Sequence, residues 1–369
     1  MVNIGIVGIG LVGSELVSQI LKSSYKNAFK VVALSTSEKM ILSDSDYKSL
    51  SLDQVENIRS TVIQSGKPVN LGEFATYLSG SKQHSVIIDC TASEEVAKLY
   101  PSWLRAGLSV VTPNKKGFSS SLGLFKEIQE LAVNTNKKGK EAKVPLVYHE
   151  ATVGAGLPIL STLTDLVKTG DEIISIEGIF SGTLSYLFNN YSSLTNPTSK
   201  SFSEIVSVAK GLGYTEPDPR DDLNGMDVGR KVVICGRLAG LDLDLSTLPV
   251  ENIVPEELRA VPTAQEFMSK LPEYDDHFAK LNQEALSNNQ VLRYVGTVDV
   301  KGGKGGVQLI KCPSTHPFAS LQGSDNIIKF TTKYFPSGIV IQGSGAGAAV
   351  TAYGIFTDLI RIQERVEGF

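Results

Sequence analysis

Lysine and carboxylate side chains held on one helical face can hold or move a proton. Residues 213–231, GYTEPDPRDDLNGMDVGRK, bring both types together. Asp227 and Lys231 are spaced i, i+4, which puts them on the same face of a helix. Such a pair is ordinarily a surface ion pair. Here the helix continues Val232-Val233-Ile234-Cys235 and is apolar nearly all round, which predicts burial. A buried carboxylate–lysine pair is costly, so it is expected to serve a purpose. Pro217 and Pro219 stiffen the preceding segment and forbid a helix there. Asp222 is a candidate N-cap for a helix over 222–239, and Glu216 offers a second carboxylate. Hydride transfer to an aldehyde needs a nicotinamide, a proton donor near the carbonyl oxygen and groups that hold the rest of the substrate. A lysine can donate the proton and stabilise developing negative charge, and carboxylates suit the ammonium of an amino acid.

A second cluster could supply the nicotinamide. Gly8-Ile9-Gly10-Leu11-Val12-Gly13 matches G-x-G-x-x-G after a strand and at the start of a helix, the context the motif requires. Gly8 permits the tight turn, Gly10 lets the backbone approach a pyrophosphate, and Gly13 lets helix and strand pack closely. The helix N-terminus faces the phosphate charge. An NAD-specific site usually ends its second strand on Asp or Glu; here the strand ends Ser35-Thr36-Ser37, with Glu38 and Lys39 beyond, so NADP and NAD both remain open. Thr91 and Pro113-Asn114-Lys115-Lys116 follow the third and fourth strands, where such sheets bind ligands.

These residues need a scaffold of a recognisable kind. Short apolar runs at 3–7, 31–34, 86–89, 109–112 and 146–149 read as buried parallel strands, with helices over 12–23, 94–106 and 122–133. The alternation predicts a doubly wound α/β, Rossmann-type domain over 1–148. The basic stretch 134–143 reads as a solvated loop. From 149 to 346 the pattern is α+β: helices over 157–168, 202–210 and 222–239, strands over 173–180, 291–300, 306–311, 327–334 and 338–342, and a mixed or antiparallel sheet. A glycine cluster is followed by an apolar helix over 348–362.

The 369 residues favour two domains. A net charge of -4 gives no reason to expect nucleic acid. No apolar stretch approaches a membrane span. The 3 cysteines are scattered and no signal-peptide n-region precedes the first strand, so a cytoplasmic chain is expected. No H-E-x-x-H suggests zinc.

The chain resembles fungal homoserine dehydrogenase over nearly its whole length. The resemblance is carried by GIVGIGLVGS (5–14), TPNKKGFSS (112–120), YHEATVGAGLPI (148–159), IEGIFSGTLSYLFN (176–189), the 213–231 segment, HPFASLQGSDN (316–326) and VIQGSGAGAAVTA (340–352). It implies an NAD(P)-dependent enzyme interconverting L-homoserine and L-aspartate 4-semialdehyde in threonine, methionine and isoleucine biosynthesis. Lys231 then corresponds to the acid/base lysine and Lys115 to a second active-site lysine that also meets the cofactor. Glu216 and Asp227, with Gly213 nearby, correspond to homoserine ligands. Thr91, the glycine loop, Gly345 and Gly347 correspond to cofactor contacts. Glu150, with the carbonyls of Val153, Ala155 and Leu157, resembles a monovalent-cation site for Na⁺ or K⁺. The resemblance also implies that the helix over 348–362 returns to the first domain, giving it residues 347–369, and that a homodimer forms through the second-domain sheet. The ACT and aspartokinase domains of some relatives are not expected here. Two rival readings are another two-domain amino-acid reductase, of the diaminopimelate type, and an inactive NADP sensor. The 213–231 segment argues against the first, and retention of both lysines and both carboxylates against the second.

Overall fold

The computed structural model describes residues 1–51, 57–134 and 144–367. From residue 135 on, the stretch read as a solvated loop lies outside them. Two compact units are present, Met1–Gly156 with Gly347–Phe369, and Leu157–Ala346.

Seven strands build the sheet of the first unit: β1 (Val2–Val7), β2 (Phe29–Ser35), β3 (Lys39–Leu42), β4 (Lys67–Pro68), β5 (Ser85–Asp89), β6 (Ser109–Val111) and β7 (Val147–Tyr148). Their order is β4-β3-β2-β1-β5-β6-β7. The expected strands are β1, β2, β5, β6 and β7, and they pair in parallel. The antiparallel edge of β3 and β4 was not expected. Its runs are too short to show a period; a tight turn creates it, in which Thr36 Oγ1 accepts the Lys39 N–H at 3.0 Å. The helix expected over 94–106 is two, Glu94–Ala97 and Tyr100–Arg105. Pro101, lacking an N–H, sits in the first turn of the second, where that donor is not needed.

The returning helix, Ala348–Glu367, buries Ala352, Ile355, Leu359 and Ile362 in one cluster with Leu16, Val17 and Ile20 of the helix Leu11–Lys22. Residues 149–156, expected with the second region, fall in the first unit because they close on this helix. The Glu150 N–H donates to Asp358 Oδ2 at 2.9 Å. A Cβ on Gly156 would lie 2.6 Å from Tyr353 Cδ1, and one on Gly354 would lie 2.5 Å from the Ala155 carbonyl oxygen.

The second unit is built on β8 (Ile173–Ile179), β9 (Gln290–Asp299), β10 (Lys304–Pro313), β11 (Asp325–Thr332) and β12 (Ile339–Ser344), in the order β10-β9-β8-β11-β12. Every neighbouring pair is antiparallel, which decides between the two sheet types expected. The helix Met226–Leu238 packs on this sheet so closely that a Cβ on Gly296 of β9 would meet Val232 Cγ2 at 2.5 Å. Between this helix and β9 lie the helices Ala264–Lys270 and Asp275–Ser287. Among the described residues no helix is long and apolar enough to cross a membrane.

Candidate functional site

In the second unit the charged segment is shaped by a glycine. Gly225 sits at φ 74° and separates a one-turn helix, Arg220–Leu223, from Met226–Leu238. The single helix expected over 222–239 is therefore two, and Asp222 is not its N-cap. Instead Asp222 Oδ2 accepts the Glu216 N–H at 2.8 Å, and Oδ1 lies 2.9 Å from Thr183 Oγ1. Burial pushes the Asp222 carboxyl above the usual range, partly offset by the Glu216 N–H. The bond to the main chain fixes the loop that carries Glu216, whose own side chain is exposed. Gly213 opens that loop at φ 75°, with no atom within 4 Å of an added Cβ.

Lys231 is buried, 7% exposed, while the Asp227 carboxylate one turn earlier is half-exposed. Lys231 Nζ donates to Asp227 Oδ2 at 2.7 Å and to the Phe180 carbonyl at 2.7 Å. The helix thus buries the stem of the lysine, while a carboxylate and a main-chain carbonyl hold its ammonium. Such a group can give a proton to an oxygen placed beside it, or stabilise charge there.

In the first unit the glycine loop meets the demands of a dinucleotide. Gly8 has φ 94°, and both its N–H and that of Ile9 donate to the Ser35 carbonyl at 2.9 Å. A Cβ on Gly13 would lie 2.5 Å from the Gly8 carbonyl oxygen, so this glycine is required for close packing. A Cβ on Gly10 would meet nothing within 4 Å, so it faces the open space a phosphate would take. Leu11 is 86% exposed, and Val12 follows in a first turn that no side chain caps. The residues present therefore fit the group. At the adjacent end of β2, Thr36 is engaged in its own turn, and Ser35, Thr36 and Ser37 bring no carboxylate.

Asp89, at the end of β5, holds the two loops that follow β5 and β6. Its Oδ1 accepts the Thr91 N–H at 2.8 Å, and its Oδ2 accepts Asn114 Nδ2 at 2.9 Å and the Tyr100 hydroxyl. Asn114 Oδ1 in turn accepts the Lys116 N–H at 3.0 Å. Lys115, half-buried between these two residues, starts a short helix, its carbonyl accepting the Ser119 N–H at 2.9 Å. Burial pushes the Asp89 carboxyl upward against these hydrogen bonds.

Glu150 is buried, 3% exposed, and its Oε2 accepts Arg361 Nη1 at 3.1 Å. Asp358 Oδ1 accepts the same nitrogen at 2.8 Å, so two buried carboxylates share one guanidinium. Burial pushes Asp358 up to about 7. Val153 is buried, and Ala155 is held at φ 53°. Leu157 begins the second unit and Gly347, at φ 109°, resumes the first. Gly345, in the second unit, lies against Asn326. Among the described residues no group of three or more His, Cys, Asp and Glu side chains could hold a metal.

Nothing in the sequence marks Asp89, Tyr100, Thr183 or the Phe180 carbonyl for a site, and Asp222 reads there only as a cap. Asn114 carried the one available signal, its place just before Lys115.

Two family models match the chain. One described as homoserine dehydrogenase covers residues 158–360, and one described as homoserine dehydrogenase, NAD binding domain, covers residues 8–139. The homoserine dehydrogenase of Schizosaccharomyces pombe is 46% identical over 99% of this chain and 96% of its own length. The chloroplastic bifunctional aspartokinase/homoserine dehydrogenase 1 of Arabidopsis thaliana is 45% identical over 97% of this chain, which spans 38% of that relative's length. A crystal structure of a Candida auris protein described as of unknown function aligns with a TM-score of 0.90 at 44% identity, over 99% of this chain and 98% of that one. With family models matched over residues 8–139 and 158–360, and a relative 46% identical over 99% of the chain, this chain belongs to the homoserine dehydrogenase family.

Proposed function

We propose that this chain interconverts L-homoserine and L-aspartate 4-semialdehyde. The observation that carries the reading is the buried Lys231 ammonium, held by Asp227 and the Phe180 carbonyl. When bound, the reduced dinucleotide, NADPH or NADH, would supply the hydride in reduction, and the oxidised form, NADP⁺ or NAD⁺, would accept it in oxidation. In the reductive direction Lys231 Nζ gives a proton to the aldehyde oxygen; in the oxidative direction it takes that proton from the homoserine hydroxyl. Glu216 and Asp227 hold the substrate ammonium, and Gly213 gives the loop that carries Glu216 its turn. Lys115 stabilises the charge that develops on the substrate oxygen. Thr91, Gly345 and Gly347, with the loop Gly8–Gly13, contact the dinucleotide. Because Ser35, Thr36 and Ser37 carry no charge, a 2′-phosphate meets no carboxylate at these positions, which supports acceptance of NADP as well as NAD.

Na⁺ or K⁺ binds at Glu150 with the carbonyls of Val153, Ala155 and Leu157. The buried Glu150 carboxylate is an oxygen ligand of the kind a hard cation takes, which supports this assignment. Activity indifferent to both ions after exhaustive exchange would overturn it. The enzyme acts in the cytoplasm as a homodimer, a reading that rests on the family.

The test is turnover with homoserine and each dinucleotide, followed by nicotinamide absorbance, on wild type and Lys231→Ala. Loss of a positioned general acid should lower kcat by ~10²–10⁴-fold and leave cofactor affinity intact. An ordinary surface ion pair would instead cost at most about 1 kcal/mol of stability. Near-normal turnover with a slightly lower melting temperature would refute the role given to Lys231.

A further inference from the structure

We propose that Asn326 is a positioning residue for Lys231, holding the carbonyl on which the lysine ammonium rests; the inference depends on the reading of Lys231 as proton donor. The last β8–β11 pair is Ile327↔Ile179. Beyond it, among the described residues, the Phe180 carbonyl accepts from side chains. One is Asn326, its Nδ2 donating to Phe180 O at 3.1 Å. The same oxygen accepts Lys231 Nζ at 2.7 Å. A carbonyl has two lone pairs, so both bonds form together and aim each other.

Asn326 cannot swing away. It is wholly buried, and the glycine turn after β12 is pressed on its amide: a Cβ on Gly345 would lie 2.1 Å from Nδ2 and 2.3 Å from Cγ. This contact explains why residue 345 is glycine. The amide is a poor choice for stability alone. Among the described residues its Oδ1 is buried without a hydrogen-bond partner, which is destabilising. An apolar side chain of similar size would fill the space without that orphan, and Phe180 O would keep Lys231 as a donor. What an apolar side chain cannot do is fix the direction of the carbonyl, and through it the lysine Nζ.

The test compares wild type, Asn326→Leu, Asn326→Ala and Lys231→Ala as full-length enzyme. Four readouts are taken on each: melting temperature, dinucleotide affinity by fluorescence titration, kcat and KM for homoserine, and the pH profile of homoserine oxidation. Asn326→Leu should keep its melting temperature and dinucleotide affinity. Its kcat should fall by about 10–10²-fold, the scale of a misplaced catalytic group. Its oxidative limb should move to higher pH, because Phe180 O then serves the lysine ammonium alone and favours the charged form, whereas oxidation needs the neutral one. If the leucine does not fit and the variant fails to fold, Asn326→Ala is judged by the same kcat and pH criteria. A lower melting temperature with wild-type kcat and pH limb would overturn the inference and leave Asn326 a packing residue. If Lys231→Ala loses turnover while the Asn326 variants match wild type, only the Asn326 assignment fails. If Lys231→Ala itself turns over normally, the lysine reading fails and takes this inference with it.

Discussion

Gly10 and Gly13 stand three residues apart in the cofactor loop and restrict substitution for opposite reasons. The space around Gly10 is open, so Gly10→Val should fold with a near-normal melting temperature yet lose NADPH binding, its side chain standing where the pyrophosphate approaches. Gly13 faces the backbone of Gly8, so Gly13→Ala should lose stability even without ligand. Melting curves and fluorescence titration on both variants check the pair; wild-type NADPH affinity in a folded Gly10→Val protein would contradict the assignment. Asp89 shows another residue-scale effect. Burial raises its pKa in the folded state above the ordinary ~3.9. The folded state therefore holds the proton more tightly than the unfolded one. The stability this contributes is fully present below the unfolded pKa and is lost as pH rises through the folded value. Asp89→Asn cannot titrate, and its amide faces three donors, so it should be less stable than wild type, by an amount that narrows as pH rises over that window. Urea denaturation at a series of pH values measures this; a gap that widens with pH would have the wrong sign.

At the scale of elements, Gly225 marks where the helix that carries Lys231 begins. Its φ of 74° and the Tyr294 hydroxyl, 1.8 Å from an added Cβ, leave no room for a side chain. Gly225→Ala should therefore destabilise the second unit by about 1–3 kcal/mol, through strain and overpacking. It should also reduce turnover, since Lys231 is carried by the displaced helix. Thermal melting and kcat on the same sample test this, and a variant with unchanged melting temperature would show that the junction relaxes freely. The helix itself was legible, because Val232-Val233-Ile234-Cys235 and the i, i+4 spacing of Asp227 and Lys231 are local patterns. Its break was not. Glycine before Met226 fits a continuous helix or an interrupted one, and only the structure shows it in the left-handed conformation, with the Tyr294 hydroxyl of β9 in the place a side chain would take.

At the scale of the whole molecule, the first unit is assembled from both ends of the chain. The helix Ala348–Glu367 buries Ile355, Leu359 and Ile362 against the helix that follows the glycine loop. Full burial of such side chains stabilises by ~1.5–3 kcal/mol each, against a typical domain stability of about 5–15 kcal/mol. A fragment of residues 1–156 should thus be unfolded or marginal. Joining 347–369 to it should restore cooperative melting and NADPH binding. Equal stability and affinity of the two fragments would show that the helix is dispensable. Asp358 and Arg361 add to the same attachment, since both bond to Glu150.

The sequence by itself determined the features that repeat at short range. Apolar runs marked five parallel strands, G-x-G-x-x-G marked the first turn, and helical spacing put Asp227 and Lys231 side by side. These signals survive in one dimension because their partners lie within a turn or a pleat of each other. Only tertiary structure decided what surrounds them. Lys231 rests on a carbonyl 51 residues away, Asn326 reaches the same oxygen from 146 residues away, and Asp222 meets Thr183 across 39. Every residue but proline has the same main-chain N–H and carbonyl, so no choice of side chain at Phe180 announces that its oxygen will hold a lysine. The antiparallel edge of β3 and β4 arises likewise, from a turn and a neighbouring strand rather than from a pattern of its own.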